Sequence, residues 1–353
     1  MTAAFWNAKR VLVTGHTGFK GAWASLWLAS MGARVTGFAL PPDTSPNLFD
    51  AARAGHGIQS ILGDVRDLAA VDAAVNAAKP DIVLHMAAQA LVRRGYRDPV
   101  GTYATNVQGT VHLLDALRRR SNARAVVVVT SDKCYRNRDE AEPFREDAPM
   151  GGDDPYSSSK GCTELVIAAY RHAYFATAGM GLASARAGNV IGGGDWAEDR
   201  LISDVVRSFA AGEAVAIRNP GAVRPWQHVL DALAGYFALA ERLYEEPQTM
   251  AESFNFGPSA DDARSVGDIV GRMATLWGGG RWTEDPEKGP HEARHLTLDA
   301  SKARAMLGWS PRLSLDKALA WVVEWHRAHG EERDMRTVTV RQIERYQALR
   351  SAG

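Results

Sequence analysis

Arg10-Val11-Leu12-Val13-Thr14 runs directly into Gly15-His16-Thr17-Gly18-Phe19-Lys20-Gly21, and Trp23, Leu26, Trp27 and Leu28 follow at helical spacing. The apolar stretch predicts a strand, the glycine-rich stretch a tight turn, and the spaced apolar residues a helix packed back on the strand. The three glycines serve different ends. Gly15 permits the turn, Gly18 lets a pyrophosphate approach the backbone, and Gly21 lets helix and strand pack closely. A glycine triplet alone is weak evidence for a phosphate site. Between a strand and a helix, with a second strand expected over 34–39, it predicts dinucleotide binding at the helix N-terminus. Gly15, His16, Thr17, Gly18, Phe19 and Gly21 are the candidate cofactor contacts of this turn.

The alternation continues along the chain. Residues 55–62 read as a strand leading into Gly63-Asp64-Val65, where Asp64 is placed to accept from an adenine amine and Val65 to pack beside the ring. Residues 81–84 read as a buried strand ending in His85-Met86-Ala87-Ala88-Gln89, and Ala87, Ala88 and Gln89 suit a ribose and pyrophosphate. A helix over 106–117 opens on Asn106, a further candidate cofactor contact as Tyr156 and Lys160 are downstream, and Ala125–Val129 is an unbroken apolar run. Alternating strands and helices predict an α/β fold: a doubly wound parallel sheet of Rossmann type, ligands gathering at the strands' carboxyl ends, and a smaller mixed α/β substrate domain. One expected feature is missing. An acid about 20 residues beyond the glycine turn usually holds the adenosine ribose, but here Leu40-Pro41-Pro42 intervenes and the nearest acid is Asp43. No arginine stands ready for a 2′-phosphate either, so these residues leave NAD against NADP open.

The chemistry lies downstream. Thr130-Ser131-Asp132-Lys133-Cys134-Tyr135 ends the apolar run, which puts a hydroxyl, a carboxylate and an amine at the carboxyl end of a buried strand. Tyr156 and Lys160, four apart, share one helix face. A nearby ammonium is expected to lower the phenol's pKa, so that Tyr156 takes a hydroxyl proton near neutrality. Ser131 would donate to the substrate oxygen as it becomes a ketone. Tyr156 and Lys160 suffice for an enzyme that only moves hydride; Asp132 and Lys133 add an acid and a base, the equipment for removing water.

On G-H-T-G-F-K-G (15–21), T-S-D-K-C-Y (130–135), Y-S-S-S-K (156–160), A-G-N-V-I-G-G-G-D-W (187–196) and R-P-W-Q-H-V (224–229), the chain resembles the extended short-chain dehydrogenases/reductases, and within them the nucleotide-sugar 4,6-dehydratases. The first, second and last stretches look like the CDP-glucose branch in particular. The resemblance covers nearly the whole chain, with one departure: related dehydratases carry Asp-Glu where this chain has Asp132-Lys133. It implies an NAD-dependent lyase acting on CDP-D-glucose. Tyr156 takes the 4-hydroxyl proton, hydride leaves for the nicotinamide, water is lost across the fifth and sixth carbons, and the hydride returns at the sixth. Asp132 is then the acid, and Lys133 the base if its pKa is lowered. The resemblance further implies that Asn189, Arg200, Arg224 and Arg294 contact the sugar nucleotide, three guanidinium forks suiting a dianionic diphosphate. His228, Trp226 and His291 are weaker candidates, with core packing the default for the Trp.

The domains read as interleaved: 1–186 for the dinucleotide with 226–250 returning to it, 187–225 and 251–330 for the substrate, and 331–353 as a helical tail. In particular, 254–257 reads as a strand rejoining the smaller domain. Lys plus Arg and Asp plus Glu balance at 41 each, so no global field favours nucleic acid or an anionic membrane. The N-terminus lacks a signal pattern, no apolar stretch approaches a membrane span, and two cysteines without paired spacing offer neither a metal site nor a disulfide framework. The expectation is a cytoplasmic enzyme. It is also expected to be a homodimer, with a tetramer as the alternative, paired through Val107, Val111, Leu114, Leu165, Ile167 and Tyr170. Two other readings compete. A nucleotide-sugar 4-epimerase, or a 4,6-dehydratase for another nucleotide sugar, would share Ser131, Tyr156 and Lys160, but an epimerase needs no acid–base pair at 132–133. A nonenzymatic nucleotide-binding regulator would typically have lost the Tyr or the Lys.

Overall fold

The computed structural model describes residues 3–139, 142–259, 262–285 and 295–349. Seven parallel strands form the central sheet: β1 (Arg10–Thr14), β2 (Arg34–Ala39), β3 (Gln59–Leu62), β4 (Ile82–His85), β5 (Ala125–Val129), β6 (Gly181–Ala187) and β7 (Ser253–Phe256). Their spatial order is β7-β6-β5-β4-β1-β2-β3. Chain direction across the sheet therefore reverses between β1 and β4, and the crevice outside their carboxyl ends is where such sheets bind ligands.

Helices cover both faces, which is why the strands are apolar on both sides. Along β1 and β5 the residues alternate between two cores: Val11, Val13, Val127 and Val129 enter one, and Leu12, Val126 and Val128 the other. The first core is rich in large rings. Trp27 of helix Phe19–Ser30 meets Phe237 of helix Val229–Glu245 at 5.2 Å and Tyr346 of helix Met335–Ala348 at 5.5 Å between centroids. Each ring removed from water contributes about 1.5–3 kcal/mol. The second core lies under helices Leu68–Ala78, Gly109–Arg120 and Pro155–Tyr170, which supply Val75, Leu113 and Ile167.

A smaller region stands over the carboxyl end of the sheet. Strand Ala214–Ile217 pairs with Arg281–Glu284, and Val223–Pro225 with Ala263–Ser265, flanked by helices Leu201–Ala210 and Val266–Trp277. Among the described residues no helix is long and apolar enough to cross a membrane.

The structure corrects four sequence-based expectations. Ser253–Phe256 does not join the smaller region; it pairs in parallel with β6 as the edge of the main sheet, and Phe254 and Phe256 are wholly buried there. A short apolar run looks the same in either setting. Residues 55–58 lie outside β3, and the helix expected over 106–117 is a π-turn, Ala104–Gln108, followed by a helix, Gly109–Arg120. Leu114 and Ile167, expected on an outer face, are fully buried in the second core.

Beneath the carboxyl ends of β5, β6 and β7 lies a dry polar network. The Glu164 carboxylate accepts from Thr130 Oγ1 at 2.5 Å, Ser184 Oγ at 2.8 Å and Arg186 at 2.7 Å. Arg186 also donates to the Tyr135 hydroxyl at 2.8 Å, and that hydroxyl donates to Asn255 at 2.6 Å. The Arg186 guanidinium and these donors hold the Glu164 carboxyl below its usual range against the opposing effect of burial. Removing one partner strands the other charge in a dry core. Arg186→Met is therefore expected to lower unfolding free energy by about 3–5 kcal/mol, read from urea denaturation, with Glu164→Gln costing less because it leaves a neutral acceptor.

Candidate active site

Gly15 turns at φ +77°, and a Cβ there would lie 2.8 Å from the backbone nitrogen of Ala87. A Cβ on Gly21 would fall onto the Gly15 carbonyl. Gly18 occupies the N-cap of helix Phe19–Ser30, and no side chain caps that end. The first-turn amides are thus left for an anion, which fits the pyrophosphate of a dinucleotide. Thr17 ties the turn to the end of β2 by donating to Leu40 O at 2.7 Å. Thr14 accepts from the backbone N–H groups of Met86 and Ala87, at 3.1 Å each, and so clamps β1 to the segment after β4.

Gly15, Thr17, Gly18, Phe19 and Gly21 line one cleft, as do Ala88 and Gln89. Other cofactor candidates stand behind it. His16 is buried, its Nε2 2.7 Å from Ser60 Oγ, and burial lowers it to about 4, so it is neutral packing. Asn106 accepts from Gln89 N at 2.8 Å and donates to Ser159 Oγ at 2.8 Å, joining the cofactor loop to the helix of Tyr156. Its position in a π-turn fits the habit of such turns to occur at functional sites. Ala87 and Val65 pack in the second core. Asp64 lies outside the cleft lining, and Arg66 engages its carboxylate at 2.6 Å.

The catalytic candidates converge. Ser131 donates to Asp132 Oδ1 at 2.9 Å and accepts from Lys133 N at 3.2 Å. Ser131 also stands close enough to the Tyr156 phenol to favour its ionised form. Asp132 is 1% exposed, and its Oδ2 has no hydrogen-bond partner among the described residues. An oxygen so placed is costly unless it carries a proton or meets a ligand's hydroxyl. Lys133 lies between the main cleft and a side chamber. Lys160 is buried with its ammonium 3.4 Å from Val129 O.

The expected lowering of the Tyr156 phenol does not hold for the protein alone. Burial pushes it up to about 12, and Ser131 offsets only part of that rise. Burial likewise lowers Lys160 to about 8, with Glu164 opposing. Desolvation outweighs pairing because both groups sit in one dry wall of the cleft.

Asn189, Arg200 and Arg224 line the same cleft. Arg200 is bound to Asp195 at 2.6 Å, and Arg224 donates to Val223 O at 2.9 Å. Arg294 and His291 lie outside the described residues. His228 is fully buried, caps helix Val229–Glu245 by accepting from Leu230 N, and is kept neutral by burial at about 3. Trp226 is core, its indole donating to Arg264 O at 3.0 Å.

Sequence reasoning passed over two groups. Lys20, within the glycine turn itself, lines the cleft. Burial, then Arg200 and Lys160, lowers it to about 7. A lysine between two glycines of a phosphate turn was the available signal. Glu164 follows Lys160 by four residues on the same helix face as Tyr156, a spacing that was also legible.

Tyr156→Phe removes one hydroxyl and leaves the glycine turn unaltered. It is expected to abolish oxidation of a bound sugar hydroxyl while leaving dinucleotide affinity within about twofold, since a general base contributes roughly 10²–10⁴-fold; stopped-flow cofactor reduction and a binding titration read the two effects. In the parent protein turnover should rise with pH through the neutral range, as more of the phenol ionises.

Comparison with known proteins agrees with this geometry. The family model described as GDP-mannose 4,6 dehydratase matches residues 12–321. The CDP-glucose 4,6-dehydratase of Salmonella typhimurium is 53% identical over 97% of this chain and 97% of its own. A dTDP-glucose 4,6-dehydratase of Xanthomonas campestris is 29% identical over 89% of this chain and 92% of its own. The solved structure of MoeE5 in complex with UDP-glucose and NAD superposes with a TM-score of 0.77 at 25% identity, covering 90% of this chain and 99% of that one. With a parallel seven-stranded sheet, a glycine turn at its switch point and Ser131, Tyr156 and Lys160 gathered in one cleft, the chain belongs to the GDP-mannose 4,6 dehydratase family.

Proposed function

We propose that this chain is an NAD-dependent CDP-D-glucose 4,6-dehydratase, forming CDP-4-keto-6-deoxy-D-glucose and water. Identity of 53% along nearly the whole of the Salmonella typhimurium CDP-glucose 4,6-dehydratase supports the activity and the nucleobase together. The observation that carries the dehydratase reading over an epimerase is Asp132: a buried carboxylate beside Ser131 with one oxygen unpartnered in the cleft wall. An epimerase has no use for an acid there.

Gly15–Gly21, with Ala88 and Gln89, would hold NAD, which when bound would supply the hydride acceptor for oxidation at the sugar's fourth carbon and the donor for reduction at the sixth. Tyr156 removes the 4-hydroxyl proton, and Ser131 holds the resulting ketone oxygen. Lys160 keeps a positive charge near the phenol and steadies its ionised form. The ketone acidifies the fifth-carbon hydrogen. Lys133 takes that proton, Asp132 protonates the 6-hydroxyl, and water leaves. Asn189, Arg200, Arg224 and Arg294 hold the nucleotide. We assign 1–186, with 226–257, to the cofactor half and the remainder up to 330 to the substrate half. The site needs both halves, since Asn189 and Arg224 come from one and Ser131 and Tyr156 from the other.

Incubation with CDP-, dTDP-, GDP- and UDP-glucose tests the assignment. The alkaline absorbance of a 4-keto product is expected with the CDP sugar foremost, and its absence with all four would overturn the reading. Asp132→Asn and Lys133→Met refine it. Both variants should still reduce bound cofactor, but lose water elimination by about 10²–10⁴-fold, and Lys133→Met should also lose solvent deuterium exchange at the fifth carbon. Equal losses in both steps would show instead that these residues brace the strand end.

The reading extends to a cytoplasmic homodimer. Leu165 and Tyr174 on the helix of Tyr156 and its continuation, and Tyr103 on the neighbouring one, are 63%, 44% and 37% exposed. Such apolar residues on two adjacent helices suit an isologous contact. Light scattering at micromolar concentration should give twice the chain mass, and Leu165→Glu should reduce it to one.

A further inference from the structure

Arg93, on helix Val92–Arg97 just after β4, has its NH1 3.3 Å from Asp199 Oδ1. Arg218, at the end of strand Ala214–Ile217 in the smaller region, reaches the same oxygen at 3.6 Å. One carboxylate oxygen thus spans the cleft between two guanidinium groups that come from opposite sides of it. All three residues line the cleft that holds Tyr156 and Gly18.

The contact is loose by this protein's own standard. Arg200 meets Asp195 at 2.6 Å and Arg186 meets Glu164 at 2.7 Å, both as hydrogen bonds. The two contacts to Asp199 are longer ion pairs, and Arg93 Nε is buried without a hydrogen-bond partner among the described residues. Guanidinium forks prefer paired oxygens, and a single shared oxygen leaves most of their donors unused. Asp204, on the same cleft lining, is the further acid within electrostatic reach of Arg218 and Asp199. Asp199 itself stands at φ +59°, a left-handed conformation uncommon for a side-chain-bearing residue. Arg200, by contrast, meets Asp195 through one short hydrogen bond of 2.6 Å.

We propose that Asp199 is an internal stand-in for the substrate's diphosphate: it holds Arg93 and Arg218 across the cleft, and an incoming nucleoside diphosphate displaces its carboxylate and takes both guanidinium groups. A diphosphate offers each fork a pair of oxygens. Because Arg93 and Arg218 belong to different halves, the exchange also draws the smaller region towards the sheet. The carboxylate keeps the two arginines apart and correctly aimed before substrate arrives. It competes with every anion for the site, so weak anions fail where a diphosphate succeeds.

The inference rests on the nucleotide-sugar reading, but not on which base is bound, and the test separates the two. The NAD-loaded enzyme is titrated calorimetrically with CDP, CMP, UDP and UMP. The CDP-to-UDP comparison reads the nucleobase; the diphosphate-to-monophosphate ratio, within whichever nucleotide binds, reads the arginine pair. Arg93→Gln and Arg218→Gln should each weaken the diphosphate by about tenfold and change the monophosphate less than about twofold. Arg93→Lys should recover part of the loss. Asp199→Asn should tighten the diphosphate several-fold and make inorganic pyrophosphate a better competitor. The proposal is overturned if Asp199→Asn weakens diphosphate binding, or if the arginine variants leave the diphosphate-to-monophosphate ratio unchanged.

Discussion

One buried carboxylate organises the catalytic end of this molecule. Glu164 receives hydrogen bonds from Thr130 at the end of β5 and from Ser184 and Arg186 of β6, and Ser253 of β7 approaches it at 3.3 Å. It is carried by the same helix as Tyr156 and Lys160. Three adjacent strands and the helix of Tyr156 are therefore referenced to a single charge, itself balanced by Arg186. Ser131 and Asp132 follow Thr130 directly, so their position relative to Tyr156 is inherited from this anchor. Such a network gains little net free energy over apolar packing, but it penalises any arrangement that breaks it. Its value here is geometric.

Around that anchor the cleft is built from opposed charges in low-dielectric surroundings. Tyr156, Lys160 and Lys20 all have their charged forms disfavoured by burial. A wall like this brings the two lysines towards neutrality, where small changes in a neighbour's charge matter most, and moves the phenol away from it. Ser131 links the two sides of the arrangement: it donates to the Asp132 carboxylate and favours the ionised form of the Tyr156 phenol.

Much of this was legible in the residues, because the relevant signals are local. The glycine turn, the apolar run of β5 and the Tyr–Lys spacing each depend on neighbours within one element, and the structure brings them to one cleft. What escaped depended on partners distant in sequence. The 254–257 stretch is apolar in a way that suits either sheet, and only its pairing with β6 decides. The phenol's ionisation was misjudged because spacing reports an ammonium nearby but not the depth at which both groups are buried. Lys20 escaped for the opposite reason: it lies inside a motif whose glycines carry the recognisable pattern.

The position of β7 has a consequence for how the protein is made. The cofactor sheet recruits its edge strand from residues 253–256, and one of its faces is closed by helix Val229–Glu245 and by helix Met335–Ala348, where Tyr346 packs on Trp27 and donates to Asp231 at 2.7 Å. During synthesis, the first six strands leave the ribosome with Trp23, Trp27 and the outer edge of β6 still uncovered. The half that binds dinucleotide cannot finish folding until the other half has been translated, and its apolar face is sealed only by nearly the last helix of the chain. A nascent chain of this design has to be sheltered over most of its length, and a truncation that spares every catalytic residue would still leave the cofactor half open.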